Sequence, residues 1–560
     1  MEKKVVNLYE GLSYVKNEPH WGAEPMPPTP ERHFYDLVRE SVYRFPLKTA
    51  LISCDREISY REMDEMSDRL ATALADLGVK KGDRVCVMLP VSAQSIIAFH
   101  GIIKAGAVSV PANLMSKAGE LIYSLNDSGA QVIIFLDIFY PLVQKVKGKT
   151  GLRQIISVHL ADISEPGCWI PPMMNPEKKA FPDAVDLMDL IRDYPPYPPA
   201  VSINPREDVA LIIYTAGTTG PPKGVMETHF NMTHANLSHC HCLGIGHNDI
   251  SLQILPMFHI GGYYLFLHPT LYKGGTVVVL PLFEPAQYLK TLDKYQVNVI
   301  LGIPTMYIAL LNHPDLSSYD LRQLRICFAA GAPVPEEVQK LWAEKTGVEM
   351  AQGWGMTECN AGAIVNVPNK KNNLSIGVPT TGEVKVVDPE SREILPLGKT
   401  GEIMYRSAQV AKGYWNKPEE TKESFQTDGW LRTGDAGYIN EEGFIFFVDR
   451  IKDIIISSGY NISPFDVESV IMKHPAVMEV AVIGVRDDYR GEAVKAYIVL
   501  KEDFKEKVKP ENIIEFCKEH MATHKNPRVV EFIEALPKSP VGKVLRRELR
   551  MLNQQNTVQS

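Results

Sequence analysis

An α/β fold carrying a second, smaller α+β domain is what this sequence predicts, and three observations predict it. A series of short apolar runs, "QVIIFL", "DVALIIY", "LQILPM", "TVVVLP", "VNVILGIP" and "RICFAAG", is β-rich and continuous rather than alternating. Parallel strands covered on both faces read this way. Helical patterns lie between several of these runs, the alternation from which α/β architectures are built. After "FFVDRIKD" the character changes: "PFDVESVIMKH", "VMEVAVIGV", "KAYIVL" and "NIIEFCKEHM" form a compact α+β pattern. That stretch has the size of a single domain. The expected division is therefore a large domain of layered sheets and helices over 1–450 and a small one over 451–560.

Taken in order, the chain opens with a Pro-rich lead-in ("EPMPPTPERH") to about residue 30. The segment "SYREMDEMSDRLATALADLG" then shows a helix with both ends marked. Ser59 and Glu62 have capping-box spacing and Gly78 stands at the expected stop. Met63, Met66, Leu70, Leu74 and Leu77 fall on one helical face. "RVCVML" reads as a strand, followed by a helical pattern to Gly106 and a short strand at "AVSVPA".

At 560 residues, two or more domains are expected. Hydrophobic content of 45% and charged content of 22% are those of a soluble protein. A net charge of -8 leaves no basic footprint for nucleic acid. Eight cysteines scattered over this length suit a reducing interior rather than a disulfide framework. The start "MEKKVVNLYEGLSYV" has no apolar signal region, so a cytoplasmic protein is expected. The uncharged run "VCVMLPVSAQSIIAFHGII" has membrane-span length, but Pro90, Ser92, Gln94, Ser95 and His100 argue for a buried strand, turn and helix. Peripheral membrane contact stays open.

Five segments carry chemistry. In "YTAGTTGPPKGV" three glycines, three threonines and Lys223 follow a strong strand and precede a helical pattern. A strand, Gly-rich turn and helix bring backbone N–H groups onto an anion. The spacing departs from the familiar nucleotide loop, because Pro222 precedes Lys223 and Gly224 follows it. In "AQGWGMTE", Gly353 and Gly355 would let backbone approach a planar ligand, Trp354 offers a face for a purine, and Glu358 is a hard oxygen donor suited to Mg²⁺. In "WLRTGDAG", Asp435 could accept both hydroxyls of a ribose, and Arg450 in "VDRIKDIIISSGYNISP" could add a second contact. Lys543 in "PKSPVGKVLRREL" lies in a Gly-containing turn before a basic helix. Against these stand plain alternatives: a flexible Gly/Thr loop, ordinary turn acids and a solvated lysine.

Together these segments, with "LPMFHIGG", "GAPVP" and "YRSAQVAKGYW", resemble the adenylate-forming (AMP-binding) superfamily, of the acyl-CoA synthetase type, from Phe34 to Leu549. The resemblance implies that Thr215, Gly217, Thr218, Thr219, Gly220 and Lys223 hold the ATP phosphates. Gly331, Ala332 and Pro333, with Gln352, Gly353 and Trp354, would frame the adenine, and Gly355 and Met356 would be further cofactor-binding positions. Thr357 would touch the α-phosphate, Glu358 would bind Mg²⁺, and Asp435 and Arg450 would hold the ribose. His259 would stand where acyl carboxylate and thiol tunnel meet, with Lys452 as hinge, Gly459 on the pantetheine path of coenzyme A and Lys543 as catalytic lysine. The small domain would be mobile, turning about the hinge between the two half-reactions. Trp354 replaces the Tyr of many members, and Ser458 stands where many carry Lys.

The expected reaction joins a carboxylic acid, ATP and CoA, without nucleic acid, in a monomer or homodimer. Gly261 and Gly262 beside His259 leave room for a medium- or long-chain fatty acid, with aryl acids as runner-up. A non-catalytic nucleotide module would predict loss of the lysine or the glutamate, and both are present. Only a polar tail ending "NQQNTVQS" follows Leu549, so free CoA rather than a carrier protein is the expected acceptor. "HANLSHCHCLGIGH" is rich in His and Cys, but adjacent H-C-H-C residues point in different directions on a helix, which suits a metal poorly.

Overall fold

The computed structural model describes residues 11–16, 26–175, 177–215, 221–367, 372–538 and 544–559. Its central sheet has nine strands, and six of them run parallel side by side: Thr49–Ser53, Thr276–Val279, Ile250–Gln253, Val299–Gly302, Ile326–Ala329 and Met350–Trp354. All six apolar runs read from the sequence become parallel strands, four in this sheet and two, Val132–Leu136 and Val209–Thr215, in a second. An eight-stranded sheet places Val132–Leu136, Arg84–Met88, Val108–Pro111 and Val209–Thr215 parallel to one another. A third sheet of five strands contains Leu431–Ile439 paired antiparallel with Ile445–Arg450.

The run with membrane-span length resolves into the strand Arg84–Met88 and the helix Ala93–Lys104, every residue of which is buried. That helix packs against strands of both large sheets, which is why its sequence is apolar all round. Among the described residues no helix is long and apolar enough to cross a membrane. The helix Tyr60–Asp76 begins at Ser59, whose side chain accepts from the Glu62 backbone N–H at 3.2 Å. The expected capping box is only half made, because the Glu62 carboxylate turns outward to Arg56 at 2.9 Å. Beyond its end Gly78 takes a φ of +87°, the left-handed conformation glycine adopts freely.

The small domain has its own core, formed by Ile462, Val467, Ile471, Val482, Val494, Ile498 and Ile513. Long antiparallel strands Val477–Asp487 and Gly491–Leu500 carry it, with helices Pro464–Ile471 and Pro510–His520 packed on one side. The last helix, Arg546–Gln559, grips the junction between the domains. Arg546 donates to Glu468 at 2.8 Å and lies 3.5 Å from Asp449, while Arg550 donates to Asp453 at 2.7 Å. Burial pushes the Asp449 carboxyl up to about 6 against the pull of Arg546. The molecule is thus a mixed α/β protein with a large N-terminal and a small C-terminal domain.

Candidate active site

Thr215, the loop of Gly331, Ala332 and Pro333, and the turn of Thr357 and Glu358 stand at the carboxyl ends of parallel strands, where open α/β sheets leave a crevice for ligands. Thr215 closes the strand Val209–Thr215. The sequence suggests strand, loop and helix, but a return strand, Lys223–Thr228, intervenes before the helix His229–Leu243. It pairs antiparallel with the first strand, Lys223 opposite Thr215, and the Thr215 hydroxyl donates to the Lys223 carbonyl at 3.4 Å. The two-residue period puts Lys223, Val225 and Glu227 on one face. That face meets a strap, residues 407–415, which adds Gly413–Tyr414 as a further strand opposite Val225 and Met226. The Lys223 ammonium sits 4.8 Å above the Tyr414 ring. Gly217, Thr218, Thr219 and Gly220 lie outside the described residues.

Thr357 and Glu358 occupy a single 3-10 turn, Thr357–Cys359, directly after the strand Met350–Trp354. Glu358 is buried, and the Tyr414 hydroxyl donates to its Oε1 at 2.7 Å. Burial raises its carboxyl above the usual range, while the Tyr414 hydrogen bond and the charges of Arg450 and Lys223 pull the other way. Tyr414 thus links the carboxylate to the phosphate-loop lysine: its hydroxyl bonds Glu358 while its ring lies under the Lys223 ammonium.

Asp435 and Arg450 face each other across the antiparallel pair of the third sheet, with Arg450 Nε 2.9 Å from Asp435 Oδ1. Trp354 does something the sequence did not foretell. Its indole N–H donates to Asp435 Oδ2 at 2.8 Å, and the residue is only 8% exposed. It braces the acidic group. Gln352 likewise works as a brace: its Oε1 accepts from the Val334 backbone N–H at 2.9 Å and its Nε2 donates to the Asn373 carbonyl at 2.8 Å. These bonds fix the loop of Gly331, Ala332 and Pro333 after the strand Ile326–Ala329, where Gly331 has a φ of +86°.

Gly353 and Gly355, expected to let backbone approach a planar ligand, also meet a packing need. A Cβ at Gly353 would strike the Phe328 ring, and one at Gly355 would strike the Ala361 carbonyl. Both glycines answer to packing within the protein, and sequence could not separate that need from ligand approach. Met356 lies between this strand and the turn, with its carbonyl accepting from the Ala361 N–H at 3.2 Å.

His259 is half-buried, and its Nδ1 accepts from the Gly261 N–H at 3.3 Å. Of the two adjacent glycines, Gly262 is demanded by the Pro256 carbonyl, against which any Cβ would collide. Gly261 instead looks onto side chains, His259 Nδ1 at 3.4 Å and Leu255 and Leu265 at 3.6 and 3.8 Å. In the small domain Gly459 turns the hairpin Ile455–Ser457/Tyr460–Ile462 with a φ of +80°, beside Ser458 at +51°. Next to it lies a cavity of about 330 Å³ lined by Ser458, Tyr460, Arg490, His524 and Arg528, among others. Lys452 is exposed in the short turn Ile451–Asp453, directly after the strand Ile445–Arg450. Lys543 lies outside the described residues.

Comparison with known proteins meets this geometry at family level. A family model described as AMP-binding enzyme matches residues 38–415, and one described as AMP-binding enzyme C-terminal domain matches residues 466–543. The chain belongs to the AMP-binding enzyme family. It is 36% identical to a long-chain-fatty-acid–CoA ligase of Bacillus subtilis, over 93% of this chain and 95% of that protein. A long-chain-fatty-acid–CoA ligase of Escherichia coli is 35% identical over the same shares. Among solved structures, the anthranilate CoA ligase AuaEII in complex with anthranoyl-AMP matches with a TM-score of 0.87 and 31% identity, over 95% of this chain and 99% of that one.

In this AMP-binding enzyme the sequence left several site neighbours unmarked. Tyr414 lies inside the quoted "YRSAQVAKGYW", yet nothing in the one-dimensional pattern says that its hydroxyl reaches Glu358. Glu227, Asn360 and Gln409 form a buried polar group behind the turn, visible only once strand and strap are brought together. The His/Cys-rich segment forms the helix His229–Leu243, where His239 contacts the Tyr264 and Gly362 carbonyls, each at 3.0 Å.

Proposed function

We propose that this AMP-binding enzyme is an ATP-dependent acyl-CoA ligase acting on a fatty acid of medium or long chain. The observation that carries the reading is the position of Glu358: a buried carboxylate bonded by Tyr414, whose ring lies under the Lys223 ammonium, on the turn that follows Trp354 and its bond to Asp435. The relatives named above as long-chain-fatty-acid–CoA ligases support the substrate class. The anthranilate ligase keeps an aryl acid as the second reading.

In the first step a carboxylate oxygen of the acid attacks the α-phosphorus of ATP, and the bond to pyrophosphate breaks. In the second, the CoA thiol loses its proton and attacks the acyl carbonyl, and AMP leaves with the electron pair. Catalysis of such transfers rests on positioning and on neutralising charge that spreads over oxygens. Lys223 and the loop threonines would follow the departing pyrophosphate, Thr357 the α-phosphate, and Asp435 with Arg450 the ribose. Glu358 would hold Mg²⁺, an ion that keeps waters and substrate phosphates beside one or two protein carboxylates. When bound, Mg²⁺ would supply charge neutralisation at the phosphates. The cavity beside Gly459, with Arg490, Arg528 and His524, supports an anionic thiol substrate such as CoA on the small domain. We place the domain division at 450/451 with Lys452 as hinge, and read the enzyme as cytoplasmic.

Thioester formation measured across straight-chain acids of graded length and across aromatic acids tests the reading. A maximum among the aromatic acids would replace it with the aryl alternative. The Gly261→Leu variant is expected to shorten the preferred chain, because Gly261 looks onto Leu255 and Leu265 rather than onto backbone. An unchanged length profile in a variant that melts like wild type would place the acyl pocket elsewhere.

A further inference from the structure

We propose that Glu227 is a positioning residue for the adenylation step, setting through Asn360 the turn that carries Thr357 and Glu358. The inference rests on the reading of that turn as the phosphate-side element of the site. Its starting point is backbone strain. Asn360 and Ala361 both have positive φ, +54° and +63°, two consecutive non-glycine residues in the left-handed region. Asn enters that region more readily than most residues, and Ala does so at a cost. Such a turn persists only where its surroundings over-determine it, and strained turns of this kind gather at functional sites.

The surroundings are unusually polar for a core. Glu227, Asn360 and Gln409 are each fully buried. The Asn360 side-chain amide donates to Glu227 Oε2 and, at 2.8 Å, to the Gln409 carbonyl. Gln409 Nε2 returns a bond of 2.8 Å to the Cys359 carbonyl, and the Ala411 N–H donates to the Glu358 carbonyl at 2.9 Å. With the Tyr414 bond to Glu358 Oε1, strap and strand hold the turn at 358, 359 and 360 in succession. Glu227 is the member that ties this arrangement to the phosphate-loop strand, since it shares a face with Lys223 four residues earlier. A shift of that strand is passed by Glu227 to Asn360, and so to the residues that meet the nucleotide.

A carboxyl group is a poor choice for stability at this place. Glu227 Oε1 and Asn360 Oδ1 are both buried without a hydrogen-bond partner among the described residues. Unsatisfied buried polar atoms destabilise, and replacing buried polar pairs by apolar groups is often neutral or stabilising. A purely structural role would be served better by leucine, so stability and catalysis make opposite forecasts for the same substitution.

The test compares Glu227→Leu, Glu227→Gln, Asn360→Leu and the double leucine variant in the full-length enzyme. For each, ATP–pyrophosphate exchange, thioester formation from supplied acyl-adenylate, and thermal melting are measured. Glu227→Leu is expected to lower the exchange kcat by about 10²-fold, the effect of a misplaced reacting group. Its thioester half-reaction should stay within about twofold of wild type, and its melting temperature should hold or rise. Glu227→Gln keeps the acceptor for Asn360 and should restore most of the exchange. The double variant should be no worse than the poorer single one, the non-additivity of residues acting as a unit. Unchanged exchange in Glu227→Leu, or a parallel fall of both half-reactions with the melting temperature, overturns the proposal. Absence of exchange in the wild type with every acid would instead remove the ligase reading itself.

Discussion

The Lys543→Ala variant is expected to lose acyl-adenylate formation by about 10²–10³-fold, the cost of removing one preorganised charge-stabilising donor. Its thioester formation from supplied acyl-adenylate should remain near wild type. The argument starts from where the lysine is attached. It lies on the small domain, three residues before Arg546, whose guanidinium is bonded to Glu468 and set against Asp449. Residues on either side of it are fixed as well: Lys538 bridges to Val544 and pairs with Glu479 at 2.7 Å. In the ligase reading, the orientation of the small domain would govern where this lysine stands relative to the nucleotide, with Lys452 as the proposed hinge. A group delivered in this way can serve one half-reaction and be withdrawn for the other. ATP–pyrophosphate exchange and single-turnover thioester formation report the two steps separately. Equal loss in both would mean that the lysine serves the nucleotide site throughout, and that no alternation separates the steps.

How much of this was legible beforehand depended on whether the signal was local. The parallel strands were, because burial on both faces leaves continuous Val/Ile runs such as "TVVVLP" that no solvent-exposed segment can afford. The fully buried helix Ala93–Lys104 was also legible, since its polar residues Ser92, Gln94 and Ser95 spoke against a membrane span. The return strand Lys223–Thr228 was not. "KGVMET" mixes two charges and a glycine into six residues, and its strand character comes from pairing with Val209–Thr215 and with the strap. Trp354 shows the same limit at the site. A tryptophan between two glycines reads as a stacking surface, whereas its N–H is committed to Asp435, a residue 81 positions away. Motifs locate functional segments; they do not tell which atoms meet ligand and which hold their neighbours in place.

Glu358→Gln should separate charge from shape at the centre of the site. The substitution keeps the volume and leaves an oxygen to accept from Tyr414, which now bonds Oε1 at 2.7 Å. It removes a negative charge that Lys223 and Arg450 both act on. Burial already raises the Glu358 carboxyl, so the ionised form is the costly one in the folded protein. Taking that charge away should leave the melting temperature unchanged or raise it. Adenylation should nevertheless fall by about 10²-fold or more, since charge stabilisation at the phosphates is the largest single contribution to transfers of this kind. The concentration of Mg²⁺ that gives half-maximal exchange should move upward, because an amide oxygen is a weaker donor to a hard cation than a carboxylate. A titration of exchange rate against Mg²⁺ in both enzymes measures this. Were the variant to lose activity with an unchanged Mg²⁺ midpoint, Glu358 would be acting on Lys223 and Arg450 alone. The buried carboxylate would then serve to orient two cations rather than to receive a third.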